Sequence, residues 1–381
     1  MRIGLDAHVI GRRKTGNETY VTGLGNALAA RDDIELTVFL DTGLSWPVPA
    51  RDPDGLGGPA VTRVPSVRPL RWRGRVGRLL LDLPIAARRA RSQLLHVQYV
   101  APPLAGIPTV VAVHDLSFED RPELFSPATQ LRLRTTIRAS TGRADAVIAL
   151  SAFTRDRLLH HYDLDPGRVF VAHAAVDGRF RVAGPSAVGA DLGSLDLPQR
   201  FVLHVGDLIP RKNVPRLIDA MAALRRDGIG DVGLVLAGQD GRDSSAVATA
   251  IAAAAERGDT GWVRRLGYVD DPTLDALYRA AAVVAYPSRY EGFGLPALEA
   301  LAAGAVLVTS ATTALPEVVG DAAVLVDPDD TSSLAAGLAR AIGDDALRTR
   351  LAIAGPQRAG AFSWAATAQS TVLAYRRALE R

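Results

Sequence analysis

Tyr286-Pro-Ser-Arg-Tyr-Glu-Gly-Phe-Gly-Leu-Pro-Ala-Leu-Glu-Ala-Leu-Ala-Ala-Gly304 is the stretch that decides how the rest of the chain is read. A short apolar strand, Ala282 to Tyr286, runs into a glycine-bearing loop, and an alanine-rich helix opens at about Pro296, a residue suited to the first helical turn. Unpaired backbone N–H groups and the helix dipole make such a junction favourable for an anion such as phosphate. Glu291 in the loop and Glu299 near the helix start bracket it. Carboxylates accept hydrogen bonds from hydroxyls, so a phosphate site flanked by two of them suits a ligand with sugar or ribose at both ends. A nucleotide sugar has that form.

Glu291, seven residues and Glu299, with Gly292-Phe-Gly-Leu-Pro296 between them, resembles the E-x7-E signature of the retaining family 4 glycosyltransferases of the GT-B fold. The resemblance implies that Glu291 meets the donor sugar and that the N–H groups of Gly292, Phe293, Gly294 and Leu295 meet the diphosphate. It also implies that Glu299 meets the ribose. Gly292-x-Gly294-x-x-Ala297 also fits a loose dinucleotide fingerprint, but that motif normally opens a first βαβ unit and carries no internal proline.

Composition sets the frame. A chain of 381 residues fits two α/β domains of roughly 150–200 residues, each able to bury a core. With 44 basic and 41 acidic residues the net charge is +3, which gives no field for nucleic acid. The absence of cysteine excludes disulfides and thiolate metal sites and fits a reducing cytoplasm. The amino terminus, broken by Asp6, does not read as a signal peptide, and no uninterrupted apolar run reaches about 18 residues.

Taken in order, strands are expected at Arg2–Leu5, Glu35–Leu40, Val61–Val64, Leu94–Gln98, Thr109–His114, Asp145–Leu150 and Val169–His173, alternating with helices or loops. The loop Gly11 to Asn17 precedes a helical pattern from Tyr20 to Ala30 and lies at the carboxyl edge of the sheet, where ligands bind. Gly16 and Asn17 match the family loop that approaches the donor phosphates. Lys14 and Arg13 read either as acceptor-side cations or as solvated loop residues. Between Arg63 and Arg91 lie nine arginines and one acid, Asp82, interleaved with Trp72 and Leu79 to Leu81. This segment is either a peripheral contact with an anionic membrane or a solvated loop followed by an ordinary amphipathic helix.

His114-Asp115 ends the Thr109 strand at the same carboxyl edge, and the family places a histidine here near the transferred sugar, with Asp115 following on the acceptor side. His8, His96, His160, His161, His173 and His204 are read as structural, and their spacing is not that of metal ligands. Ser151 reads as a helix N-cap. Arg181 to Gln199, without periodicity, reads as the linker.

The alternation restarts with Phe201–Val205, and further strands are expected at Val232–Ala237, Trp262–Leu266, Val283–Tyr286, Ala305–Thr309 and Ala323–Val326. Arg211 and Lys212, before a helix from Pro215 to about Arg225, suit diphosphate, and they resemble the family's Arg-Lys-Asn segment. Asp207 stands where family members often carry arginine, which puts part of the leaving-group clamp in doubt. By resemblance the loops at Gly238 and Tyr268 border the nucleobase, and turn chemistry alone explains the glycines there equally well. Asp327-Pro-Asp-Asp330 reads as a turn rather than a metal site.

The resulting expectation is an α/β GT-B protein with two Rossmann-like doubly wound parallel-sheet domains facing a central cleft. Residues 1–185 form the acceptor domain, rejoined by a helix at about 364–381, and residues 198–363 form the donor-nucleotide domain. The resemblance implies a cytoplasmic, metal-independent, retaining glycosyltransferase without cofactor, with His114 and Glu291 as the catalytic pair. GDP-mannose is the favoured donor, with UDP-sugars open, because Ile3 to Ala7, Thr15 to Tyr20 and His114 to Leu116 look most like bacterial mannosyltransferases of surface-polysaccharide assembly. The acceptor is a hydroxyl of a glycan, a lipid-linked sugar or a small molecule. The rivals are a nucleotide-sugar 2-epimerase and a non-catalytic nucleotide-sugar-binding protein.

Overall fold

A computed structural model describes residues 1–11, 15–47, 63–71, 74–176, 178–180, 192–256 and 261–380. Lys14, Arg13, Trp72 and the linker segment 181–191 lie outside these residues. The chain divides into two compact units, Met1–Gly178 with Phe362–Arg381, and Arg179–Ala361.

The first unit carries strands β1 (Arg2–Asp6), β2 (Glu35–Asp41), β3 (Ser66–Leu70), β4 (Leu94–Gln98), β5 (Thr109–Val113), β6 (Ala146–Ala149) and β7 (Val169–Val171). They form one parallel sheet in the order β3-β2-β1-β4-β5-β6-β7. β4 and β5 are buried along their whole length, which is why Thr109-Val-Val-Ala-Val113 is a continuous apolar run rather than an alternating one. The strand expected at Val61–Val64 forms instead at Ser66–Leu70, residues 61 and 62 lying outside the described set. β3 is the sheet edge with four of five residues exposed, so no apolar run announces it, and Pro69 is tolerated there because an edge strand has one unpaired side.

Helix Thr15–Ala29 starts earlier than the apolar pattern suggests, because Glu18 reaches back to accept from the Gly11 N–H at 2.8 Å and closes the loop onto the first turn. Gly16 and Asn17 therefore lie in that turn, where an α-helix offers its own N–H groups no acceptor. Residues 75–89 run as one helical rod whose middle, Arg78–Asp82, is a π-helix. The last helix, Trp364–Leu379, belongs to the first unit: Thr367 Oγ1 donates to the His173 carbonyl at 2.6 Å, and Tyr375 OH lies 2.7 Å from His96 Nδ1. A Cβ on Gly23 would sit 2.1 Å from the Trp364 ring, so the close approach of these two helices requires glycine.

The second unit contains β8 (Phe201–Val205), β9 (Gly233–Ala237), β10 (Val263–Gly267), β11 (Val283–Tyr286), β12 (Leu307–Ser310) and β13 (Val324–Val326). They pair in parallel in the order β10-β9-β8-β11-β12-β13. Its core joins Val202, Leu234, Ala285 and Val308 from the sheet to Leu217, Ile218, Met221, Leu334 and Leu338 from the covering helices. Each of the Val, Leu, Ile and Met side chains contributes about 1.5–3 kcal/mol on burial.

Strand order reverses once in each sheet, between β1 and β4 in the first unit and between β8 and β11 in the second. At a reversal the following connections diverge to opposite faces and leave a crevice at the carboxyl ends of the strands. The crevices therefore open after β1 and β4 in the first unit and after β8 and β11 in the second.

Candidate active site

The loops after β8 and β11 bring together Arg211, Lys212 and Glu291. Glu291 Oε2 lies 2.7 Å from Arg211 Nη1 and Oε1 lies 2.8 Å from Lys212 Nζ, so one carboxylate holds both cations. Lys212 also donates to Tyr286 OH, and Arg211 donates to the Tyr290 carbonyl at 3.2 Å. Asn213, in the left-handed conformation at φ +61°, turns the chain from the cationic pair into helix Val214–Arg226, and its amide donates to the Pro287 and Pro328 carbonyls. Gly206 leaves room for Lys212 to fold inward: a Cβ there would stand 3.3 Å from Lys212 Cε.

Burial and charge oppose each other in this cluster. Burial alone would raise the Glu291 pKa, but Arg211 and Lys212 outweigh it and bring the carboxyl down to about 2. For Lys212 burial is the stronger influence, aided by Arg211, and its ammonium falls to about 8 in spite of Glu291. At neutral pH the cluster holds two cations and one anion, an excess of one positive charge available to a diphosphate.

Gly294, at φ +105°, is the N-cap of helix Leu295–Ala302, and a Cβ there would meet Leu315 Cδ2 at 2.7 Å. The N–H groups of Ala297 and Leu298 already go to the Gly294 carbonyl and Pro296 has none, so the helix meets an anion through Leu295 and the loop ahead of it. Gly292 and Phe293 are buried in that loop, and the Glu291 N–H donates to Thr313 Oγ1 at 3.2 Å. Half-buried Glu299 accepts from Tyr278 OH at 2.9 Å. Burial and Glu299 together keep that phenol protonated far above its ordinary range.

Gly238 and Tyr268 follow β9 and β10. Gly238 is demanded by packing, since a Cβ would lie 2.0 Å from the Gly206 carbonyl oxygen, while Tyr268 is exposed. Asp207 accepts from the Gln239 N–H at 3.2 Å and ties the β8 loop to the β9 loop. Asp327 to Asp330 form a capping turn: Asp330 accepts from the Ser332 N–H and Asp329 pairs with Arg289 at 3.1 Å. Among the described residues no group of three metal-ligating side chains occurs.

In the first unit His114 follows β5 and is buried, with Nε2 2.7 Å from Gln98 Oε1 at the end of β4. The glutamine oxygen accepts, which leaves Nδ1 as the acceptor of the ring. Tyr99 stacks on the imidazole at 5.2 Å and Tyr20 meets it edge-on at 4.8 Å. Burial lowers the His114 pKa to about 4, so the ring is neutral at physiological pH. Asp115 Oδ1 accepts from Ser117, from Oγ at 2.7 Å and from N–H at 3.0 Å, at the start of the short helix Ser117–Asp120. Among the residues that support the expected ones, Tyr286, Tyr290 and Tyr20 lie inside stretches already singled out but without an assigned role, and with Tyr278, Thr313 and Gln98 their roles become visible only through these contacts.

Two family profiles match the chain: glycosyltransferase family 4 over residues 15–179 and glycosyl transferases group 1 over residues 193–358. The chain is 33% identical over 270 residues to the O-antigen chain mannosyltransferase B of Escherichia coli, covering 70% of each. It is 35% identical over 289 residues to the D-inositol 3-phosphate glycosyltransferase of Frankia alni, covering 72% of this chain and 69% of that one. Its structure superposes on Anabaena HepE, crystallised with UDP and glucose, with a TM-score of 0.73 and 20% identity over 99% of both chains, a likeness of fold.

Proposed function

The chain belongs to the group 1, family 4 glycosyltransferases of the GT-B fold, and on that premise we propose that it moves a mannosyl residue from GDP-mannose to an acceptor hydroxyl with retention of configuration and without a divalent metal. The observation that carries this reading is the buried Arg211–Glu291–Lys212 cluster at the β8/β11 reversal. A donor diphosphate competes with Glu291 for both cations and releases the carboxylate toward the sugar, and Glu299 takes the ribose. The cations supply the charge stabilisation that a metal would otherwise give. The bond from the anomeric carbon to the phosphate oxygen breaks as the acceptor oxygen bonds on the same face, and its proton passes to the departing phosphate. Neutral His114 and the Glu291 carboxylate steady the sugar as positive charge develops. Mannose is favoured by the mannosyltransferase relative, and the acceptor is a glycan, lipid-linked or small-molecule hydroxyl.

A thermal-shift panel of GDP, UDP, ADP and their sugar conjugates, with and without chelator, tests the donor. At one hundred times its dissociation constant a ligand adds about 2.7 kcal/mol of stability. The expected result is a shift with GDP-mannose that survives chelator and disappears in Glu299→Ala. A shift only with a uridine nucleotide moves the donor to a UDP-sugar, and a shift only in the presence of metal removes the metal-independent mechanism. Donor alone converted to its epimer overturns transfer.

The acceptor is met at an anionic membrane surface on its inner face, through residues 75–89. Among the described residues no helix is long and apolar enough to cross a membrane. On this helical rod, however, Val76, Leu80, Leu81 and Ile85 are 69%, 43%, 50% and 42% exposed, an outward apolar stripe where an ordinary amphipathic helix shows polar residues. Exposed Arg68, Arg71, Arg88 and Arg89 flank it in sequence, and each basic residue near an anionic surface adds about 1 kcal/mol of attraction. Cosedimentation with phosphatidylglycerol vesicles is expected to fall about tenfold or more in the double variant Leu80→Asp, Leu81→Asp. Equal sedimentation of the variant, or equal binding to neutral phosphatidylcholine vesicles, removes the membrane assignment.

A further inference from the structure

The carboxyl end of β1, on the strand-order reversal of the first unit, holds a second arrangement that sequence patterning leaves as structural. Asp6 is fully buried, and His8 sits in a tight turn closed by the Ile10 N–H donating to the Ala7 carbonyl at 3.1 Å. The His8 N–H lies 3.3 Å from Asp6 Oδ1 and its ring Nδ1 lies 3.1 Å from Asp6 Oδ2. Backbone and ring are therefore both fixed by one carboxylate. Arg78, 5% exposed and carried by the π-helix, donates to the same Oδ2. Burial raises the Asp6 pKa, but His8 and Arg78 overcome it and hold the carboxyl far below its usual range.

This places an Asp–His pair with its donor direction settled. Ionised Asp6 can only accept, so Nδ1 carries the proton, and in the neutral ring Nε2 is then the acceptor. Nε2 lies on the ring edge away from Asp6, the side chain is 19% exposed, and Nε2 makes no hydrogen bond among the described residues. Parallel pairing runs from β1 through β4 to β5, so the strand ends carrying His8 and His114 stand about 10 Å apart along one sheet edge. That distance is the scale of one sugar ring with its attacking partner.

We propose that His8 is the residue that receives the acceptor hydroxyl: its Nε2 accepts the hydrogen bond of the attacking O–H and aims the oxygen lone pair at the anomeric carbon. The inference rests on the glycosyl-transfer reading and adds to it a specificity-determining contact. The hydroxyl proton still leaves with the departing phosphate, so His8 orients the acceptor and takes no proton from it. Asp6 is a positioning residue, acting through His8, and Arg78 keeps Asp6 ionised.

Two substitutions separate this role from a structural one. His8→Asn places an amide N–H where Nδ1 was, keeping the bond to Asp6 but leaving nothing at Nε2; His8→Gln reaches the Nε2 position with an acceptor oxygen. Wild type is first assayed with GDP-mannose and UDP-glucose against octyl α-mannoside, octyl β-glucoside and water, following both transfer and donor hydrolysis. His8→Asn is expected to lower the transfer-to-hydrolysis ratio about tenfold through the acceptor KM while donor hydrolysis stays within about twofold, and His8→Gln to recover part of it. A wild-type ratio in His8→Asn, or equal losses of transfer and hydrolysis, overturns the assignment. Wild type that transfers to no acceptor overturns the glycosyl-transfer reading itself, and the His8 role falls with it; wild-type activity tells the two failures apart.

Discussion

Glu291→Ala is expected to cost about 3–5 kcal/mol of stability and to lower transfer by about 10²–10³-fold, because it strands buried Lys212 beside Arg211 without a counter-charge. Lys212 is 6% exposed and stands 2.8 Å from the carboxylate, so its ammonium has little solvent to replace the lost counter-charge. Arg211 keeps the Tyr290 carbonyl and more solvent, so the larger penalty falls on the lysine. Chemical denaturation and steady-state kinetics read the two effects. A loss of stability below about 1 kcal/mol, the range of a surface pair, would mean that the cluster is solvated and not the buried device described here.

The same carboxylate has a pH signature with a definite sign. Its pKa falls from 4.5 to about 2 on folding, so the folded state binds fewer protons in that window. Glu291 therefore stabilises the fold above pH 4.5, and the contribution disappears as pH falls through about 2. Glu291→Gln lacks this linkage. The difference in melting temperature between wild type and Glu291→Gln is expected to shrink as pH drops from 6 to 3; a constant difference would show that Arg211 and Lys212 do not hold the carboxylate ionised.

Lys212→Met is the second large effect. It keeps the stem that packs beside Gly206 and Tyr286 and removes the ammonium, leaving Arg211 as the one cation paired with Glu291 among the described residues. The expected result is a fall in kcat/KM for the donor of about 10³-fold, carried in both KM and kcat, because the charge acts on the phosphate in the ground state and more strongly as it departs. In wild type the free lysine, lowered to about 8 chiefly by burial, loses its proton above that pH. Donor kcat/KM should therefore decline about tenfold per pH unit beyond about 8, and the decline should vanish in Lys212→Met. Stability moves oppositely: the unfolded lysine binds its proton up to 10.5, so the penalty for burying the ammonium is complete below about 8 and relieved between the two values. A variant retaining wild-type donor affinity would remove Lys212 from the diphosphate site and leave it a structural counter-ion to Glu291.

Much of this was legible in the sequence. Short, largely apolar runs such as Thr109–Val113 and Phe201–Val205 read as strands buried on both faces, and their alternation with helices points to parallel sheets. The same pattern puts Arg211, Lys212, Glu291 and His114 at carboxyl strand ends. Where the pattern failed, the cause is local. β3 is an exposed edge and has no apolar run, and the π-turn at Arg78–Asp82 has a longer period than 3.6 residues, so helical periodicity could not say which face of residues 75–89 points outward.

By itself the sequence determined which residues stand at the ends of strands and which types of charge each loop carries, because those follow from local periodicity and turn chemistry. Only the tertiary structure decided who faces whom. Glu291 meets Lys212 across 79 residues because β11 inserts beside β8. Arg78 finds Asp6 across 72 residues, and Glu299 finds Tyr278 from another helix. Partners of this kind are chosen by strand order and close packing, and neither is written in the spacing of any one segment.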